Sequence, residues 1–185
     1  KGASVELVKM ELGAEKVYTG ALMTLKGDGS SFTAHIGYQG FTGQHLDMNY
    51  VARHLGRKTE SLMESNGVLN GNAFKLFRGS IDFVKGCAGS VGNEKEDVLL
   101  LGDDVVNQTI PLILCAEEDV EGNHGASIGE LDEKTLFYLM SRGFTKEAAE
   151  AMIAGARLEA IAAEIPVPEV REQVEKYLEE QHEEL

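Results

Sequence analysis

Along residues 1 to about 128, apolar and polar positions alternate in short bursts, and no burst is long enough to make a helix. The first, over 5–12, sets Val5, Leu7 and Met10 against Glu6 and Lys9. Similar runs follow over 21–25, 32–36, 46–51, 73–77, 80–84, 97–101 and 111–115. Alternation with a period of two gives an extended strand two chemically distinct faces. Glycine punctuates the runs, at Gly43 and Gly71 among many others, marking turns. Brief strands with frequent turns leave three architectures: a barrel, a sandwich or a β-solenoid. Three features favour the solenoid. Helical periodicity is absent between the runs, and the corners are built from Gly, Asn, Asp and Ser (NGVLNGN, GSVGNE). The alternation is also irregular, as expected where each rung has several short faces. No repeat of 20–25 residues can be read, however, so on pattern alone a jelly-roll sandwich stays the rival.

The pattern changes near residue 129. Asp132 is placed to cap a helix over 133–140, and Gly143 stands where the C′ residue belongs. Thr145 caps a second helix with Glu147 in its first turn. The apolar stripe of that helix is expected at Ala149, Met152, Ile153, Ala156 and Ala160, before Pro166 and Pro168 end it. A third helix, from 169 to about 181, carries Val170, Val174, Tyr177 and Leu178 on one face. The expected organisation is a β core over 1–128 and a helical domain over 129–185.

Composition narrows the chemistry. A chain of 185 residues can bury a core without staples. Cys87 and Cys115 are its only cysteines, too few for a disulfide framework or a four-thiolate metal site. A reducing, cytoplasmic setting is the expectation. The formal net charge of −14 and the scattered lysines and arginines argue against nucleic acid. No stretch approaches the ~20 apolar residues that span a bilayer, and the first residues lack a signal-peptide core. A start at Lys1 without methionine, directly in strand-like sequence, is expected of a fragment of something longer. No HExxH or GxxxxGK[ST] motif occurs, so an enzyme is not expected. The alternative from that class is a β-helix lyase or esterase using Asp47, Arg53, Arg57 and Asp82 on one face.

The run HGASIGELDEKTLFYLMSRGFTKEAAEAMI, from His124 to Ile153, is similar to the C-terminal signature of SufB and SufD proteins. HLGRKTES from His54, FRGSIDF from Phe77 and VLLLGDDVVNQTIPLI from Val98 fall in the same order as their family counterparts. The resemblance covers roughly residues 50 to 165. It implies a right-handed parallel β-helix followed by a helical domain. It further implies a scaffold subunit of iron–sulfur cluster assembly that pairs with a SufB/SufD paralogue or with itself. Its helices would dock SufC, an ABC-type ATPase, and a transient iron–sulfur cluster would lie at the subunit interface. A purely structural subunit with no cluster ligand is the further alternative.

By the resemblance, His124 corresponds to a position linked to cluster handling, and neutral imidazole suits Fe(II) and Zn(II). A histidine that merely hydrogen-bonds at the turn before the helices is the competing reading. Val105 stands where SufB proteins carry a cysteine, which makes the chain more SufD-like. Cys115, in the apolar run Leu112-Ile113-Leu114, is the second candidate ligand, although such a cysteine is usually a buried hydrophobe. Cys87, between Gly86 and Ala88, is expected to be exposed and inert. Glu117, Glu118, Asp119 and Glu121 read as a solvated loop that could hold a cation. His35, His45 and His54 are placed on different rungs, and His182 in a solvated tail. The run from Leu136 to Met140 is too broadly apolar for one buried stripe. Docking of the ATPase is expected around Tyr138, Arg142 and Phe144.

Overall fold

The computed structural model describes the backbone of residues 1–183 and the side chains of residues 1–180, so His182 lies outside the described side chains. Among the described residues, nine strands precede three helices. The strands are β1 (Ser4–Glu11), β2 (Lys16–Leu25), β3 (Ser31–Gly40), β4 (His45–His54), β5 (Glu60–Leu69), β6 (Phe74–Phe83), β7 (Ser90–Leu100), β8 (Val106–Cys115) and β9 (Val120–Gly129). Odd-numbered strands form one sheet and even-numbered strands a second, each in sequence order. All neighbours are parallel. A chain that adds one strand to each of two parallel sheets per circuit is a β-solenoid, here of about four turns. Among the described residues the antiparallel pairing of a jelly-roll sandwich is not found.

The circuit is longer than a 20–25-residue repeat and not constant. Equivalent positions lie 27 residues apart from Ser4 to Ser31, 29 from Gly43 to Asn72 and 32 from Lys75 to Asn107. The runs expected over 73–77 and 80–84 are a single strand, β6, because the inward Gly79 interrupts its apolar alternation. Strands β5 and β9 were not anticipated at all. Their inward positions include Ser61, Ser65 and Gly67 in β5, and Gly122, His124 and Ala126 in β9, which give little apolar signal.

Between the sheets, Phe32, Ile36, Tyr38, Leu46, Met48, Tyr50, Phe77, Ile81 and Phe83 are buried. Gly67 makes room for one of them: a Cβ there would lie 2.0 Å from Cε2 of the Tyr38 ring.

Helices α1 (Glu133–Ser141), α2 (Lys146–Ala162) and α3 (Pro168–Glu183) follow. The Asp132 carboxylate accepts from the Thr135 N–H and the Thr145 hydroxyl from the Ala148 N–H, so both expected caps are formed. Gly143, at φ +99°, supplies the left-handed residue after α1. Of the expected stripe of helix α2, Ala149 is buried and Ile153 partly so, whereas Met152, Ala156 and Ala160 are exposed; the inward positions otherwise are Ala151, Ala154, Leu158 and Ala162. Small residues let the helix lie close on the odd-numbered sheet, where Ala154, Leu158 and Ala162 pack with Val68 and Leu99, and Leu178 of α3 joins the cluster. No helix among the described residues is long and apolar enough to cross a membrane.

Candidate functional site at the open end of the solenoid

Strands β8 and β9, like β1 and β2 at the other end, are terminal members of their sheets, so each pairs on one side and leaves a row of backbone donors and acceptors on the other. Side chains whose equivalents in earlier rungs are buried here reach solvent. His124 stands over Glu94, itself over Met63 and Ala34, which places it on the inward-facing side of the odd-numbered sheet. Cys115 stands over Phe83 and His54 on the inward-facing side of the even-numbered sheet. Both are nevertheless exposed. On the outward side of β8, Val106, Ile110, Leu112 and Leu114 are exposed as well, at 44–50%. At Ile110 and Leu114 this strand is apolar where β4 and β6 place Asn49, Arg78, Arg53 and Asp82, although Val51, Phe74 and Leu76 stand on the same face.

The two candidate ligands are not brought together. A Cβ on Gly79 would lie 2.6 Å from Oε1 of Glu94, so these two columns face each other across the interior. One rung on, their successors are Pro111 and His124. Cys115 is four residues farther along β8, about 13 Å away at ~3.3 Å per residue. There it turns into a corner, its thiol donating to the Glu117 carbonyl at 3.0 Å. Glu117 accepts from the Gly86 and Glu118 N–H groups at 2.8 and 3.0 Å. Those bonds hold its carboxyl below the usual range. Glu121 accepts from Asn123, and the Asp119 carbonyl from Gly89. The acidic run 117–121 thus closes a corner and is not gathered around His124.

The two cysteines exchange their expected environments. Cys87, in its turn, is fully buried and its thiol is pushed up, mainly by that burial; Cys115 is exposed. Apolar neighbours on β8 do not bury Cys115 because no further rung covers it. Val105 is partly buried against the core.

Beneath His124 the interior is polar. Lys75 and Glu96, both buried, form an ion pair. Glu96 also accepts from the Tyr38 hydroxyl at 2.8 Å and from Thr109 at 2.6 Å. The Lys75 ammonium donates to Asn107 and Thr109, each at 2.9 Å. Glu94 is buried close by, its carboxyl pushed up to about 7 by burial and then by the Glu96 charge. Burial lowers Lys75 while Glu96 opposes the shift. Sequence reading missed this network. The available signal was phase: Lys75 is in step with Phe77 and Ile81, and Glu94 and Glu96 with Val98.

The remaining candidates are dispersed. His45 and His54 share β4 and so do not occupy different rungs. His45 lies between Tyr18 and Phe74, with centroids 5.6 and 4.3 Å away. His54 is buried between the Thr59 and Ser61 hydroxyls at 2.7 and 2.9 Å, and burial pushes it down to about 4. His35 lies on the outer face near Glu64. Of the four residues suggested for a lyase-like face, Asp82 pairs with Arg53 and Asp47 with Arg78. Arg57 lies in a corner, its N–H donating to Asp28.

On the helical layer, α1 buries none of its residues. Phe137 is 75% exposed, and Tyr138, Met140 and Phe144 are exposed beside it, while Leu136 and Leu139 are partly covered. The Arg142 guanidinium lies over the Tyr138 ring, 5.2 Å from its centroid. Tyr138, Arg142 and Phe144 are thus all exposed, the first two in contact.

Residues 1–157 match the family model described as SUF system FeS cluster assembly, SufBD core domain. An iron–sulfur cluster assembly SufBD family protein of Mycobacterium leprae is 36% identical over 125 residues, 68% of this chain and 14% of that protein. The Bacillus subtilis iron–sulfur cluster assembly protein SufD is 31% identical over 68% of this chain and 29% of its own length. SufB of the same organism is 28% identical over 90% of this chain and 36% of its own length. The chain therefore spans between about a seventh and about a third of the length of these relatives.

Proposed function

Because the chain belongs to the SufB/SufD family, we propose that it is a non-catalytic scaffold subunit of iron–sulfur cluster assembly whose open solenoid end receives a second SufB/SufD-type subunit. One observation carries this reading: β8 and β9 leave free sheet edges beside an uncovered apolar face, with His124 at the mouth of the interior. Free edges of this kind favour edge-to-edge pairing with another chain.

The cluster is cargo in this scheme. Iron–sulfur clusters are usually held by four protein ligands. Among the described residues, neither His124 nor Cys115 belongs to a group of three potential metal ligands. A cluster at the open end would draw its remaining ligands from the partner, with His124 as this chain's contribution. Cys115, some way along the rim, is not required at that centre. Phe137, Tyr138, Arg142 and Phe144 form the docking surface for the SufC-type ABC ATPase. The free thiols are in keeping with a reducing, cytoplasmic location.

Anaerobic reconstitution of the complex with a SufB/SufD partner tests the cluster assignment. His124→Ala should lower the yield of visible-absorbing cluster, and Cys115→Ser should leave it unchanged. The reverse pattern would transfer the ligand role to Cys115. Triple substitution of Tyr138, Arg142 and Phe144 by alanine should abolish co-purification with the ATPase, and retained co-purification would refute docking there.

A further inference from the structure

We propose that Glu6, His35 and Glu164 form a binding site for a divalent transition cation, remote from the open end and separate from cluster assembly. The three side chains come from β1, β3 and the segment just after α2. One potential ligand atom from each lies within 4.8 Å of the other two. Metal–donor bonds of ~2.0–2.2 Å set neighbouring donors roughly 3–3.5 Å apart. The two exposed carboxylates therefore need to close by only about 1–2 Å, well within the reach of glutamate side chains.

The donor set points to the class of ion. One imidazole with two carboxylates suits zinc and its neighbours, whereas magnesium and calcium favour oxygen donors alone. A fourth group completes the surroundings. Glu64, beside His35 on β5, brings Oε2 to 3.6 Å from His35 Nδ1. A carboxylate next to a metal-binding imidazole helps to set the ring's orientation. On the Glu6 side of the cluster a hollow of about 320 Å³ opens, lined also by Val8, Ile165 and Val170.

The placement gives such an ion a mechanical consequence. Glu6 and His35 belong to the solenoid and Glu164 to the end of the helix that packs on it. A bound cation would tie the two layers together and stabilise the folded chain in proportion to its occupancy. Apolar contacts and the Arg157–Asp97 ion pair also hold that seam.

Zinc titration followed by calorimetry, with parallel thermal melts, tests the site in a Cys115→Ser/His124→Ala background that removes competing ligands at the open end. One equivalent should bind and raise Tm, and magnesium should do neither. His35→Ala should weaken binding at least tenfold and remove the rise in Tm. Glu164→Gln, at an exposed carboxylate that the fold does not need, should do the same. Glu64→Gln should weaken binding by roughly tenfold, the lower end of the range for outer partners of a ligand. No binding in the background protein, or affinity unchanged in either His35→Ala or Glu164→Gln, overturns the proposal.

Discussion

The middle rungs and the last rung follow the same plan but treat the same kinds of side chain differently. In β3 to β7 the inward positions are closed above and below, so even Lys75, Glu94 and Glu96 are withdrawn from water and must satisfy one another. In β8 and β9 the inward positions end at His124, Cys115 and Ile128, all exposed, while apolar residues stand on the outer face of β8. A residue's environment in a solenoid is thus fixed by whether a further rung covers it, and only then by its place in the alternation. Polarity within the closed rungs must be compensated internally. Apolarity on the open rung stays uncovered in the isolated chain.

Substitutions can break that contrast, and the largest effect is expected in the closed rungs. Glu96→Ala strands the buried Lys75 ammonium and should cost about 3–5 kcal/mol in chemical denaturation. Gly67→Ala drives a methyl into the Tyr38 ring, which cannot swing aside in the core, and should cost about 1–3 kcal/mol. Leu112→Ser on the open rung should change the stability of the chain alone by no more than about 0.5 kcal/mol. The same substitution should weaken binding of a SufB/SufD partner, measured by sedimentation. A large loss of monomer stability with unaltered association would contradict the contrast.

Acidity sharpens it further. Glu94 takes up its proton near pH 7 when folded, against 4.5 when free. Its burial therefore costs nothing below about 4.5, and stability is progressively lost as pH rises to 7. His54 runs the other way: its folded value near 4 against 6.5 means that stability present above 6.5 is lost as pH falls towards 4. The stability of Glu94→Gln relative to the parent should accordingly grow as pH rises from 4.5 to 7 in urea titrations. A constant difference would mean that Glu94 is hydrated in the folded chain.

Much of the architecture is legible from the pattern of residues, and the failures share a cause. Helix caps at Asp132 and Thr145 depend on local geometry, and both form as expected. The solenoid is inferred from corners and short strands, but its circuit varies between 27 and 32 residues, which hides the repeat. Strands β5 and β9 escape notice because several of their inward residues are small or polar. Leu112, Ile113 and Leu114 suggest burial for Cys115, yet apolarity there marks an edge without a covering rung. His124 is conspicuous only through the family resemblance. Glu94 and Lys75 carry nothing in their own identity to set them apart from surface charges, and only strand phase places them inside.

Hydrogen exchange of the backbone amides, with and without a SufB/SufD-family partner, tests the open end most directly. The new protection should be concentrated in β8 and β9, while β3 to β7 stay as protected as before. Protection gained elsewhere, with β8 and β9 exchanging as in the isolated chain, would contradict the account.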